Sequence, residues 1–129
     1  MKLAAIDIGS NAIRLLVEEI IVLEKGNRIE KISLTRVPIR LGEDVFEFGH
    51  ISPHKEIRLL KAMKAFKHLM EAMEVEHYRA CATSAMRETS NQTELIERIN
   101  REAGIPIEVI DGKTEADLIF SNFKVQKID

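Results

Sequence analysis

The chain has 129 residues, with 19 Lys and Arg against 21 Asp and Glu, a net charge of −2. That length matches one domain with a true core, and a composition 45% hydrophobic and 31% charged excludes wholesale disorder. The near-neutral balance excludes a global basic field that would gather nucleic acid or an anionic membrane, so an anion site has to be local.

Residues 2–8 are a short apolar run that predicts a buried strand closed by Gly9. Residues 12–24 are rich in Ile, Leu and Val and predict a second strand. After a turn at Lys25-Gly26-Asn27-Arg28, residues 29–41 alternate through Ile29, Ile32, Leu34 and Val37, completing a meander. Pro38 weakens the end of that third strand or places it on an edge. Residues 42–52 read as a loop. Ser52 as N-cap and Pro53 at the first helical position open a helix. Its apolar stripe runs through Leu59, Met63, Phe66, Met70 and Met73. A fourth strand is predicted over 78–83. Asn91 and Glu94 have the spacing of a capping box before a second helix with Leu95, Ile96 and Ile99 inward. Gly104 stops that helix in a left-handed cap. A fifth strand is predicted over 106–110, broken by Gly112, and a third helix over 114–124 with Leu118, Ile119 and Phe123 inward. The order is β-β-β-α-β-α-β-α, an α/β domain with a mixed five-stranded sheet and helices on its faces.

Cys81 is the only cysteine, which excludes an internal disulfide and fits a reducing cytoplasm. Arg14, Glu18 and Glu19 interrupt the longest apolar stretch, well short of the roughly 20 residues a membrane span needs. The first residues lack the pattern of a signal peptide. A cytoplasmic protein is therefore expected. His50, His54, His68 and His77 show no zinc spacing with Cys81.

In a sheet of this kind, ligands gather at the carboxyl ends of strands. Three segments lie there. In Asp7-Ile8-Gly9-Ser10-Asn11, Gly9 permits a turn with positive φ, and the amides of Gly9, Ser10 and Asn11 can form a nest for a phosphate. Asp7 can hold Mg²⁺, which prefers few carboxylates and several waters. The plain alternative is an Asx-type turn. In Thr83-Ser84-Ala85-Met86-Arg87, two hydroxyls and a bidentate guanidinium suit phosphate; the plain alternative is a polar strand-to-helix loop with a surface arginine. In Asp111-Gly112-Lys113-Thr114-Glu115, Glu115 either complements a helix dipole or deprotonates a water for attack.

Taken jointly, these segments resemble the exopolyphosphatase/guanosine pentaphosphate phosphohydrolase (Ppx/GppA) family along essentially the whole chain. The resemblance rests on Ala4 to Leu15, Arg40-Leu41-Gly42-Glu43, Ala82 to Glu88 and Ile110 to Ala116, in that order. It implies the actin-like ATPase fold, whose first half is a ribonuclease H-like unit with the element order read above. It also implies hydrolysis of a phosphoanhydride, polyphosphate or guanosine pentaphosphate, with Mg²⁺. In that family's terms Glu115 is the general base, Gly9, Ser10 and Asn11 form the first phosphate loop, and Asp7 helps place the metal. Arg87 neutralises the phosphoryl group with Thr83 and Ser84 beside it, and Arg14 and Arg40 are further substrate contacts.

The chain departs from the family at Ala12, where Ser or Asn is common, and it contains no second glycine-rich phosphate loop. It is therefore expected to be the N-terminal lobe of a two-lobed hydrolase, with little turnover alone and a tendency to self-associate. A rival reading is a non-hydrolytic phosphate- or nucleotide-binding regulatory module of the same superfold; a kinase-type member is a third. Glu115 favours hydrolysis, and no acceptor site for a kinase is seen.

Overall fold

The computed structural model describes residues 1–111. The helix expected over 114–124, and Glu115 with it, lies outside the described residues. Nine elements follow one another: β1 (Lys2–Ile8), β2 (Ile13–Leu23), β3 (Gly26–Val37), α1 (Leu41–Phe48), α2 (Pro53–Ala72), β4 (His77–Ala82), α3 (Ser84–Glu88), α4 (Gln92–Ala103) and β5 (Glu108–Val109). The sheet runs in the order β3-β2-β1-β4-β5. The first three strands are antiparallel neighbours, whereas β4 pairs parallel to β1 and β5 parallel to β4. The sheet is therefore mixed and five-stranded, as the sequence predicts.

Side-chain alternation divides the sheet into two faces. Ala4, Ile6 and Ile8 of β1, Ile13, Leu15 and Val17 of β2, and Ala80 and Ala82 of β4 pack into one cluster with α2 and α4. From α2 come Leu59, Leu60, Met63, Phe66 and Met70; from α4 come Leu95 and Ile99. Each large side chain buried this way contributes roughly 1.5–3 kcal/mol. The opposite face carries the row Arg36, Arg14, Asp7, Cys81 and Glu108, one residue from each strand in register. Among the described residues no helix is long and apolar enough to cross a membrane.

Several boundaries differ from the sequence reading. The stretch expected as a loop over 42–52 contains α1, closed by Gly49 at φ 78°. Leu41 is buried and Val45 packs against the core, a stripe of two turns that is short beside the acidic residues around it. The third strand begins at Gly26 and ends at Val37, because Pro38 cannot donate to the ladder. Of its alternating apolar residues, Ile29, Ile32 and Leu34 are exposed. Ile29 lies beyond reach, because β1 pairs with β2 only as far as Glu19 and the far ends of β2 and β3 run on as a two-stranded ribbon. Ile32 falls at the register shift opposite Val17 and Glu18, and Leu34, two residues from Arg36, lies on the sheet face away from α2 and α4. The fourth strand is displaced by one residue to 77–82, and β5 is two residues rather than five. The segment after β4 forms the short helix α3 instead of a loop. The capping box at Asn91 is not formed. Its side-chain amide instead takes the Ile51 N–H at 3.3 Å and donates to the Ile51 carbonyl at 3.2 Å. Ser52, by contrast, caps α2 by accepting from the Lys55 N–H, and Gly104 adopts φ 70° after α4, both as predicted.

Candidate phosphate site

Strands β1 and β4 are parallel and end side by side, with Ile8 opposite Ala82. The segments that leave them therefore meet at the carboxyl edge of the sheet. The Ser10 and Ser84 hydroxyls lie 2.8 Å apart, joining two motifs 74 residues distant in sequence. Around this contact is a cavity of about 360 Å³, lined by Asp7, Gly9 to Ala12, Arg14, Arg36, Thr83 and Ser84.

The loop between β1 and β2 is held from two directions. Within it, the Gly9 N–H donates to the Ala12 carbonyl at 3.0 Å, so this amide closes the turn instead of facing a ligand. Gly9 does not adopt the positive φ expected of it. Space favours glycine instead, since a Cβ here would stand 3.0 Å from the Ala12 oxygen, a tight contact against backbone. From outside, the Arg40 N–H donates to the Asn11 carbonyl and the Gly42 N–H to the Ser10 carbonyl, both at 2.9 Å. Gly42 is the glycine that packing demands most: a Cβ on it would come 2.9 Å from the Ser10 Cβ. Both carbonyls are thereby turned toward α1. Among the described residues the amides of Ser10 and Asn11 donate to nothing.

Asp7 is 6% exposed at the end of β1. Its Oδ2 accepts from both Nε, at 3.2 Å, and Nη2 of Arg14, the residue opposite it on β2. Its Oδ1 is buried and has no hydrogen-bond partner among the described residues. The Arg14 side chain stays 40% exposed, so its guanidinium is aligned by Asp7 and still open to the cavity. Next in the row, burial pushes the Cys81 thiol up to about 12, with the charge of Asp7 adding to the effect. That thiol is neutral and inert.

Arg40 and Arg87 do not line this cavity. Arg40 adopts φ 59° at the start of α1, and its exposed side chain reaches Glu43 at 3.5 Å. Its backbone is what serves the loop. Arg87 turns from the cavity: Nη1 donates to the Ile110 carbonyl at 3.1 Å and stands 3.5 Å from Asp111. It thus ties α3 to the end of β5, where the segment bearing Glu115 begins.

Two residues here escaped the sequence reading. Asp44, buried in α1, pairs with Lys55 Nζ at 2.9 Å and accepts from the Ser52 N–H at 2.9 Å. Burial alone would raise its carboxyl, but the Ser52 and Lys55 hydrogen bonds outweigh it and hold the group below the usual carboxylate range. The Arg40–Glu43 motif is thereby fixed to the start of α2. The second is Arg36, on the cavity wall; only its cross-strand position opposite Arg14 would have revealed it.

Among the described residues no group of three or more His, Cys, Asp or Glu is arranged for a metal. Mg²⁺ needs no such group, because it keeps waters and takes one or two carboxylates together with phosphate oxygens. The unpartnered buried Oδ1 of Asp7 fits that demand.

Residues 20–124 match the family model described as the Ppx/GppA phosphatase family. The exopolyphosphatases 1 of Mycobacterium tuberculosis and Mycobacterium leprae are each 28% identical over 93% of this chain and 34% of their own length. Among solved structures, the Aquifex aeolicus Ppx/GppA family member has 32% identity and a TM-score of 0.80, over 89% of this chain and 36% of that one. An exopolyphosphatase from Cytophaga hutchinsonii has 35% identity and a TM-score of 0.81, over 93% and 37%. The chain thus spans about a third of the length of these relatives.

Proposed function

The chain belongs to the Ppx/GppA phosphatase family, with the sheet of its actin-like ATPase fold, and from that premise we propose that it is the phosphate-gripping lobe of a phosphoanhydride hydrolase. The substrate class is condensed phosphate: inorganic polyphosphate, or the 5′ chain of guanosine pentaphosphate. The observation that carries the reading is the cavity itself, where the loop after β1 and the segment after β4 converge on an oriented arginine. In this reading the second lobe of the enzyme lies outside these 129 residues, and Glu115 is carried over from the family's catalytic segment.

Each group has a physical task. The Ser10 and Asn11 amides and the Ser10 and Ser84 hydroxyls supply donors for equatorial phosphoryl oxygens. Arg14, aligned by Asp7, offers a guanidinium to the same group, and fixed donors of this kind supply most of the catalysis in phosphoryl transfer. Asp7 Oδ1 would hold Mg²⁺, which when bound neutralises phosphate charge. Glu115 takes a proton from the attacking water, the water oxygen bonds to the terminal phosphorus, and the bridging P–O bond breaks. Orthophosphate and a chain one phosphate shorter result. Arg87 secures the strand end from which the Glu115 segment departs. Cys81 has no part in the chemistry.

The test is Glu115→Gln in the two-lobed enzyme. Phosphate release should fall by about 10²–10⁴, the usual loss with a general base, while substrate binding persists. Unchanged turnover would make Glu115 a helix-terminal charge only. Binding with no turnover in the unaltered enzyme would instead support a regulatory phosphate-binding module.

A further inference from the structure

We infer that Arg36 is a second phosphate contact, one that reads a neighbouring phosphate of the chain and not the one held by the Ser10–Asn11 loop. This rests on the reading of the cavity given above. Arg36 is the residue opposite Arg14 in the β2–β3 pairing, so both side chains rise from the same face on adjacent strands. Such strands lie about 4.8 Å apart, and like charges placed directly opposite are destabilising. Arg14 is neutralised by Asp7. Among the described residues no carboxylate pairs with Arg36, and its side chain is exposed on the cavity wall. The loop amides, Arg14 and Arg36 form a line that leaves the end of β1 and crosses toward β3. A lone orthophosphate has no use for so extended a row of donors, whereas a condensed phosphate presents further anionic groups along it. An edge strand commonly carries charges to prevent pairing, and Arg28 does so on β3 beside Glu30 at 2.9 Å. Arg36 differs in lining the cavity.

The experiment is calorimetric titration of the 129-residue chain, of Arg36→Gln and of the charge-matched Arg28→Gln, with orthophosphate, tripolyphosphate and guanosine 5′-triphosphate. Arg36 is exposed, so the variant should melt with the unaltered chain. Arg36→Gln should weaken tripolyphosphate about tenfold, the scale of one charge-assisted hydrogen bond. Orthophosphate affinity should stay unchanged, and Arg28→Gln should behave as the unaltered chain. Loss with tripolyphosphate alone would assign the contact to inorganic chains, and loss with the triphosphate too would extend it to nucleotides. Unchanged tripolyphosphate affinity, or an equal loss for orthophosphate, would overturn the assignment. Failure of the unaltered chain to bind any of the three would overturn the reading of the cavity itself, and the assignment with it.

Discussion

The two segments that converge on the cavity leave the sheet at the same level and are held in different ways. The loop after β1 is pinned by backbone: the N–H groups of Arg40 and Gly42, from the start of α1, grip two of its carbonyls. The segment after β4 is a five-residue helix held by side chains, with Arg87 on the Ile110 carbonyl and Gln92 Nε2 on the Met86 carbonyl at 2.9 Å. A backbone brace is sensitive to spacing and indifferent to side-chain type except where a Cβ intrudes. A side-chain brace is sensitive to the identity of the residue that makes it. Substitutions should therefore separate the two segments.

The largest effect is expected at the root of the backbone brace. Asp44→Ala removes the carboxylate shared by the half-enclosed Lys55 ammonium and the Ser52 N–H, leaving Lys55 only the Arg40 carbonyl at 2.7 Å and the more distant Glu43 at 3.6 Å. A loss of about 2–3 kcal/mol in urea unfolding follows from charged hydrogen bonds left unmade. Tripolyphosphate binding should weaken as well, because α1 positions the loop. A loss under 0.5 kcal/mol, roughly the range of an ordinary surface change, would show that α1 is held by its apolar residues alone.

Gly42→Ala tests the same brace by contact. The added Cβ meets the Ser10 Cβ at 2.9 Å, on backbone that cannot rotate away. Overpacking of this kind costs about 1–2 kcal/mol. Its signature should be a larger fall in phosphate affinity than in stability, since Ser10 is displaced directly. If calorimetry shows normal affinity, the loop does not depend on the approach of α1.

Much of this could be read from the sequence where the signal was local. The apolar run of β1, the Ser52-Pro53 start of α2 and the Gly104 stop all lie within a few residues of what they control. The convergence of the Gly9 and Thr83 segments followed from strand order, a topological rule. What failed was non-local. Arg40 is named by the family resemblance for its side chain, and the resemblance says nothing of its N–H, which the structure places on Asn11. Asn91 has the spacing of a capping box, but Ile51, 40 residues away, takes its amide. Asp44 looks like a surface acid until α2 brings Ser52 and Lys55 to it. Asn11 and Ile51 lie far along the chain from their partners, and Ser52 and Lys55, though 8 and 11 residues from Asp44, meet it only through the turn between α1 and α2.

On the side-chain brace, Arg87→Lys keeps the charge and loses the planar fork. The Ile110 contact should fail, at about 1 kcal/mol. Tripolyphosphate affinity of the 129-residue chain should not change, because Arg87 lies off the cavity wall. A clear fall in that affinity would place the guanidinium on the ligand.

The smallest effect concerns Asp7 on β1 and Cys81 beside it on β4. The carboxylate is kept beside Arg14, while the thiol is 2% exposed and pushed up to about 12 from its ordinary 9.0, first by burial and then by Asp7. A raised acid favours the protonated form in the folded state. Below pH 9 both states keep the proton, and the thiol adds no pH dependence. Between about 9 and 12 the unfolded chain releases its proton and the folded one does not, so stability falls as pH rises, at no more than about 1.4 kcal/mol per unit. By pH 9.5 the loss should still be under about 1 kcal/mol. Comparing urea midpoints with Cys81→Ala across pH 7–10.5 isolates this contribution, because every other group is common to the two proteins. The difference between the two proteins should be flat to about pH 8.5 and then shrink. A difference that stays constant to pH 10.5 would mean the thiolate is tolerated in the sheet, and that the row beside Asp7 is far more open to water than the packing around Cys81 allows.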